Sequence, residues 1–396
     1  MTRPLRRSPA PFGASGKTVH AVCVRCGRSR PYAAAEPSCD CGGLLDPVYD
    51  LKAATVHEEE TAPGARYFDL LPLRRPESVL HIGDGNTPCV HARALGARIG
   101  LDRLYLKDET GNATRTTKDR MAACVLAVFQ ELGVDEFVAS STGNSSSSFA
   151  WGLPFTRGLR AHLFAGRDFV DRHQYTDHPG VTLHVVDDDF VGAAKAGRAY
   201  ADEHGLVFEG GFFNSARREG LKLAYLEAYD QMPEEPAVVV QAISSGMGVY
   251  GAHKGAREYL EMGRLRRMPR FVCVQQRSCA PMWNAAREGS DRILPHHVLR
   301  RPQGLAKAIL RGDPTNTYPH MRAITTGTGG SFAAVSDAEM IDARRWLAQD
   351  EGIDVCFAAA AALAGAAQLA ARGEIRREEP VLVNLTGGER NGTADD

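Results

Sequence analysis

The sequence predicts an α/β fold of parallel sheets flanked by helices, and three observations carry that expectation. From Leu101 on, short runs rich in Val, Ile, Leu and Phe alternate with longer stretches of helical periodicity. Loops rich in Gly, Ser and Asn directly follow the strand-like runs, which is where ligands bind in such folds. The 396 residues also exceed the length at which single cores usually divide, about 250 to 300 residues.

Taken in order, Met1 to Lys17 is rich in Arg, Pro and Gly and has no apolar signal-like core, so residues 1–20 read as a flexible tail. Residues 21–50 hold two cysteine knuckles, Cys23-Val-Arg-Cys26-Gly27 and Cys39-Asp-Cys41-Gly42-Gly43. A polar linker at His57 to Gly64 precedes the turn Gly83-Asp84-Gly85-Asn86-Thr87-Pro88 and the main core, taken as 78–396. Strands are expected at 103–107, 136–140, 160–165, 181–187, 236–243, 270–275 and 380–386. Helices are expected at 117–132, 146–158, 190–204, 217–231, 248–261, 337–351 and 355–372.

Composition excludes several classes. An apolar share of 43% and a charged share of 24% are those of an ordinary soluble protein. A formal net charge of −1 supplies no basic field, so nucleic acid is not an expected partner. No apolar run is long enough to cross a bilayer: Cys356 to Ala371 is mostly Ala and reads as a packed helix, so no membrane role is expected. The start without an apolar h-region is read as that of a cytoplasmic protein, with an Arg-rich organelle transit peptide as the alternative. Nine cysteines, four of them before residue 42, are too unevenly spread for a disulfide scaffold. Cys23, Cys26, Cys39 and Cys41 are candidate ligands of a structural zinc ion, with reduced or disulfide-bonded local pairs as the alternative.

Four stretches carry candidate chemistry. Lys118 opens a periodic apolar run, at a helix start whose dipole disfavours the ammonium form and favours nucleophilic amine chemistry; the alternative is a first-turn surface lysine. Ser141-Thr142-Gly143-Asn144-Ser145 follows a strand and opens a helix, a cradle for carboxylate or phosphate or else a solvated cap. Ser244-Ser245-Gly246-Met247-Gly248-Val249 repeats that arrangement after another strand. The last strand runs into Thr386-Gly387-Gly388.

Together these stretches resemble fold-type II pyridoxal-phosphate (PLP) enzymes of the tryptophan synthase β superfamily, the threonine synthases in particular. Lys107-Asp-Glu, Asn112-Ala-Thr and Thr117-Lys118-Asp119-Arg120 resemble that family's lysine signature; Ser141 to Ser145 its Ser-Thr-Gly-Asn-Thr loop; Ser245 to Val249 its phosphate loop; Leu385-Thr386-Gly387 its closing Leu-Thr-Gly. Weaker matches at Arg217-Arg-Glu-Gly220, Val274-Gln-Gln276 and Val335-Ser-Asp337 fall in the family's order. The resemblance implies two parallel-sheet α/β subdomains, the smaller and more mobile about 112–205, behind a small N-terminal zinc-ribbon-like module. It implies PLP on Lys118, with Asn144 at the ring hydroxyl, Ser245, Gly246, Met247, Gly248 and Val249 at the phosphate, and Thr386 at the pyridine nitrogen. Ser141, Thr142, Ser145 and Arg217 are then expected at a small amino-acid substrate, and the usual assembly is a homodimer.

The departures gather where a substrate phosphate would be read. Gly211 and Phe212 stand at the family's Asn-Ser pair, Arg115-Thr116-Thr117 at its Gly-Ser-Phe, and Ser245 and Met247 at two glycines of the phosphate loop. Arg115 thus becomes a further candidate for gripping an anion. The activity expected is elimination or replacement on an O-activated amino acid, with an O-phosphorylated one as the first expectation and O-phosphohomoserine in the strict threonine-synthase case. The alternatives are O-phosphoserine or O-phosphothreonine chemistry, as in cysteate-synthase-like or natural-product enzymes, and a regulatory homologue without turnover, against which the presence of Lys118, Asn144, Arg217 and Thr386 argues.

Overall fold

The computed structural model describes residues 17–33 and 38–389, so most of the expected tail lies outside the described residues. The chain forms two compact units, one of residues up to Asp84 with Lys118–Gly220, the other of Gly85–Thr117 with the residues from Leu221 on.

The first unit opens with a three-stranded antiparallel ribbon, β1 (His20–Cys23), β2 (Ser29–Pro31) and β3 (Leu45–Val48), in the order β2-β1-β3. The short helix α1 (Pro63–Arg66) follows. Its main sheet has four parallel strands, β6 (Glu136–Ser140), β7 (Arg160–Gly166), β8 (Val181–Val186) and β9 (Val207–Phe208), in the order β8-β7-β6-β9. Helix α3 (Lys118–Glu131) is buried along nearly its whole length and packs on α4 (Asn144–Gly152). Helix α5 (Phe190–His204) covers β6 and β7; the Asp189 carboxylate caps it by accepting the Val191 and Gly192 N–H groups, and Gly205 ends it in the left-handed conformation.

The second unit is built on one six-stranded sheet. Its strands are β4 (Cys89–His91), β5 (Leu104–Asp108), β10 (Val238–Ala242), β11 (Arg270–Gln276), β12 (Ser331–Val335) and β13 (Val381–Leu385), in the order β12-β11-β10-β13-β5-β4. All pairs are parallel except β4 with β5 at the edge. The central strands are buried on both faces, as their continuous Val/Leu/Ile runs demand. Around them lie α2 (Arg93–Ile99), the later part of α6 (Ser215–Gln231), α7 (Met247–Glu261), α8 (Pro281–Arg287), α9 (Tyr318–Thr328), α10 (Asp337–Trp346) and α11 (Phe357–Ala371). The Ala-rich α11 is a core helix: a Cβ at Gly365 would overlap the Val274 side chain, so small residues let it press onto the sheet. No described helix is long and apolar enough to cross a membrane.

Every expected strand is present within two residues of its expected bounds. The helix expected at 146–158 instead spans Asn144–Gly152 and passes into a 3₁₀ turn at Leu153–Phe155, because Pro154 has no N–H to continue the ladder. The helix expected at 337–351 leaves α-geometry after Trp346 and closes with one π turn, Leu347–Glu351.

Candidate active site

In the first unit, Lys118 is the first residue of α3. It keeps some accessible surface while being surrounded by protein, and that desolvation, with the nearby Arg217 charge, brings its pKa down to about 8. A reachable amine with its pKa brought down toward physiological pH, so that a useful fraction is neutral there, is what covalent carbonyl chemistry needs. Asp84, the residue in place of the family's Glu, is buried on the same unit; burial pushes its carboxyl up to about 7 against the pull of Arg120.

The serine-rich loop is tied down residue by residue. Ser141 Oγ accepts the Gly143 N–H at 3.0 Å and sets the turn. Gly143 sits at φ 123°, and a Cβ there would meet Arg172 Cβ at 2.6 Å, so only glycine fits. Asn144 begins α4. Ser145 Oγ accepts from Arg217 Nη1 at 3.0 Å, which joins two of the expected substrate residues. The remaining serines hold the scaffold: Ser146 Oγ lies 2.8 Å from His173 Nδ1, Ser147 Oγ accepts the Gln174 N–H at 3.0 Å, and Ser148 Oγ donates to Asn144 O at 3.0 Å.

Two residues here have no motif to announce them. Arg172 donates from Nε to Thr142 O at 3.0 Å and from Nη2 to Asn144 Oδ1 at 3.4 Å, which places a second guanidinium on the loop. Glu209, just after β9, grips Arg217 through both carboxylate oxygens at 2.5 Å. Only its sequence neighbourhood, an acid two residues before Gly211, could have signalled it.

In the second unit, the loop after β10 enters α7 through Gly246 at φ +86°. A Cβ there would overlap the Met321 side chain. Ser245 and Met247 both keep negative φ, so the exchange of two glycines leaves the loop unstrained. Its helix start carries no side-chain cap, which leaves N–H groups for an anion. A Cβ at Gly248 would meet Gln241 at 2.6 Å, and Gln241 Oε1 is buried without a hydrogen-bond partner. Thr386 follows β13 and its carbonyl accepts the Thr117 N–H at 3.0 Å, anchoring the residue before Lys118.

The lysine signature's other residues are structural. Asn112 Oδ1 accepts the Gly85 N–H at 2.8 Å, Thr87 Oγ1 donates to Glu109 at 2.6 Å, and Asn112 Nδ2 donates to Glu109 at 3.0 Å. They lock the Gly83 to Pro88 turn to the end of β5. Arg115 takes φ +58°, a conformation that suits the family's glycine, and its guanidinium lies against Gly388, with Nη2 3.8 Å from an Asp354 carboxylate oxygen.

The ribbon brings all four cysteine sulfurs within 4.8 Å of one another. Cys23 and Cys41 stand 3.5 Å apart and Cys26 and Cys39 3.8 Å apart, too far for a disulfide at about 2.05 Å. Tetrahedral zinc with bonds of about 2.3 Å separates sulfurs by about 3.8 Å, and the cluster fits that ion. A Cβ at Gly43 would meet Cys23 Sγ at 2.6 Å, so the glycine behind the second knuckle keeps room for the sulfur. Glu288, His296 and His297 form another cluster, but His297 Nδ1 accepts the Leu294 N–H at 3.0 Å. Neutral His297 therefore carries its proton on Nε2, directed at Glu288 2.8 Å away, and offers no lone pair to a metal.

Comparison with known proteins agrees with these features. The chain is 28% identical to the threonine synthase of Methanocaldococcus jannaschii over 373 residues, covering 92% of this chain and 91% of that protein. It is 28% identical to the cysteate synthase of Methanothrix thermoacetophila, over 76% of this chain and 75% of that one. Maize serine racemase shares the fold, with a TM-score of 0.65 at 19% identity over 79% of this chain and 90% of its own. Residues 80–387 match the model of the pyridoxal-phosphate dependent enzymes, and the chain belongs to that family.

Proposed function

We propose that the chain is a PLP-dependent lyase that eliminates or replaces an oxygen-linked group on the β- or γ-carbon of an amino acid, on the threonine-synthase plan. The observation that carries this reading is Lys118: a reachable amine at a helix start whose pKa is brought down to about 8. The uncapped start of α7, with Gly246 and Gly248 where side chains would collide, fits a phosphate, and we assign Ser245 to Val249 to it. Asn144 is assigned to the ring hydroxyl and Thr386 to the ring nitrogen.

When bound, PLP supplies an electron sink for charge developing at the α-carbon. Lys118 Nζ takes the α-proton and holds it, a role open to an amine that is neutral about half the time near pH 8. Ser141, Thr142 and Ser145, with the helix start at Asn144, orient the substrate carboxylate. Arg172, fastened to Thr142 and Asn144, adds positive charge to that loop. Arg115 is a weaker candidate for substrate contact, because its guanidinium already faces Asp354. The oxygen-linked group leaves from the β- or γ-carbon with its bonding electrons, and water or another nucleophile then adds at the β-carbon, so that loss from the γ-carbon with water added at the β-carbon gives threonine. The threonine synthase relatives support water and a threonine product, and the cysteate synthase relatives support another nucleophile. We assign the protein to the cytoplasm as a homodimer acting on a small-molecule substrate.

The test is a panel of O-phospho and O-acyl forms of homoserine, serine and threonine given to the PLP-loaded protein, with product amino acid, keto acid and leaving group followed together. Stoichiometric release of leaving group from at least one member is expected; release from none, with PLP bound through Lys118, sinks the reading.

We also assign structural zinc to Cys23, Cys26, Cys39 and Cys41. All four positions would be filled by protein, so the metal's contribution is to folding. Chelation should release one zinc per chain and expose the ribbon to protease while visible cofactor absorbance persists. A chain that contains no zinc after expression in zinc-sufficient medium contradicts the assignment.

A further inference from the structure

We infer that Gln241 supplies a side-chain donor to the phosphate held at the start of α7, and that Asn384 and Tyr225 stand behind it as positioning residues, in one chain of hydrogen bonds that closes when the phosphate binds. This rests on the assignment of Ser245 to Val249 to the cofactor phosphate and adds three side chains to that site.

Gln241 lies on β10 and is 7% exposed, and its Oε1 has no hydrogen-bond partner among the described residues. Its carboxamide fills the space that a side chain at Gly248 would take: a Cβ there would meet Nε2 and Oε1 at 2.6 Å each. Cα–Cβ bonds in a helix tilt toward its N-terminus, so that space lies on the side of the first turn of α7 to which the uncapped N–H groups point. No bond to its oxygen fixes the amide in one orientation. It can therefore turn its NH2 onto an anion at the helix start, where the partial positive charge already favours one.

Two more side chains stand behind it. Val240 of β10 pairs with Val383 of β13, so the next residues, Gln241 and Asn384, lie side by side on one face of the sheet. Asn384 Oδ1 is likewise buried without a partner among the described residues, and so is the hydroxyl of Tyr225 on α6. Burial pushes the Tyr225 phenol well above its usual pKa, while Asn384 beside it pulls the other way. Buried polar atoms without hydrogen bonds are rare, and three in one row ask for a common cause. One arrangement satisfies all of them: Tyr225 OH donates to Asn384 Oδ1, Asn384 Nδ2 donates to Gln241 Oε1, and Gln241 Nε2 donates to a phosphate oxygen. The last acceptor is the anion, and its arrival polarises and strengthens the bonds behind it.

The experiment titrates the full-length apoprotein of wild type, Gln241→Met, Gln241→Glu and Tyr225→Phe with PLP and with pyridoxal, which lacks the phosphate, and follows visible absorbance. It also records the rise in Tm that inorganic phosphate gives each apoprotein at fixed ionic strength. Gln241→Met should weaken PLP by about tenfold, and Gln241→Glu, which sets a carboxylate against the phosphate, by about a hundredfold, with pyridoxal affinity unchanged. Tyr225→Phe removes only a hydroxyl that has no partner before the phosphate binds, so the apoprotein should keep its Tm while PLP weakens by about threefold. The phosphate-induced rise in Tm should shrink in the same order. A purely structural role for Gln241 would weaken PLP and pyridoxal together. An unmoved ratio of the two affinities in Gln241→Met overturns the inference, and where neither Gln241 variant folds, an unmoved ratio in Tyr225→Phe does so. If wild type binds no PLP, the cofactor assignment falls instead; loss of the phosphate-induced Tm rise in Gln241→Met or Tyr225→Phe then still supports the donor chain, and an unchanged rise refutes it.

Discussion

Lys118→Ala is expected to lose the visible absorbance of lysine-bound pyridoxal and at least about a thousandfold in turnover, since it removes both the covalent attachment and the group that moves the α-proton. The other buried lysines cannot take over. Lys107 is held by Glu227 at 3.0 Å, and Lys222 and Lys254 share Glu258 at 2.7 and 2.5 Å. Borohydride reduction of the loaded wild type should therefore fix the cofactor to one peptide, the one containing Lys118; labelling of another lysine would refute the assignment. The pH dependence has a definite sign. With the folded pKa brought below the ordinary 10.5 to about 8, the amine becomes neutral as pH rises through about 8, and recombination of the apoprotein with PLP should accelerate over that window. The same shift makes the unfolded chain hold a proton that the folded one has lost between about pH 8 and 10.5, so this lysine's contribution to apoprotein stability becomes more favourable with pH there. Lys118→Met should remove that slope.

How far this site was legible in the sequence follows from the distance over which each contact acts. Lys118, the loop from Ser141 and the loop from Ser245 are local signals, glycines and hydroxyls at strand-to-helix junctions, and the structure places each at such a junction. Ser146, Ser147 and Ser148 continue the run of serines in the sequence, yet they reach residues of the next loop or their own helix, and no periodicity announces that. Arg172 lies in a 3₁₀ turn without a motif, about thirty residues from the backbone it grips, and the Glu209 with Arg217 pairing depends on how a two-residue strand feeds α6. Several elements also went unread: β4 and β9 are too short to show alternation, α8 and α9 begin at or beside prolines, and neither α2 nor the five-residue β12 is among the expected elements. What can be read is what acts within a few residues. What cannot is a pairing chosen by topology.

Lys107 is the plainest instance, and it carries the largest expected effect on stability. In the sequence it closes a strand and belongs to the lysine signature; in the structure it is fully buried on β5, far from being a reactive amine. Its Nζ donates to Thr87 O at 2.5 Å, Glu227 Oε2 at 3.0 Å and Gln231 Oε1 at 3.2 Å, while the other Glu227 oxygen accepts the Asn86 N–H at 3.0 Å. The pair thereby binds the Gly83 to Pro88 turn and the strand edge to α6. Both side chains are 0% exposed, so removing one partner strands a charge in the core. Glu227→Ala should cost about 3 to 5 kcal/mol, read as a lower urea midpoint with little change in slope. Removing both charges is a different matter, because desolvating two ions offsets much of their attraction. Lys107→Met combined with Glu227→Leu should recover most of the loss, and the cofactor absorbance should return with it. A single variant that loses under about 1 kcal/mol would show that the ammonium finds water or another acceptor, and that the signature lysine is held by packing alone.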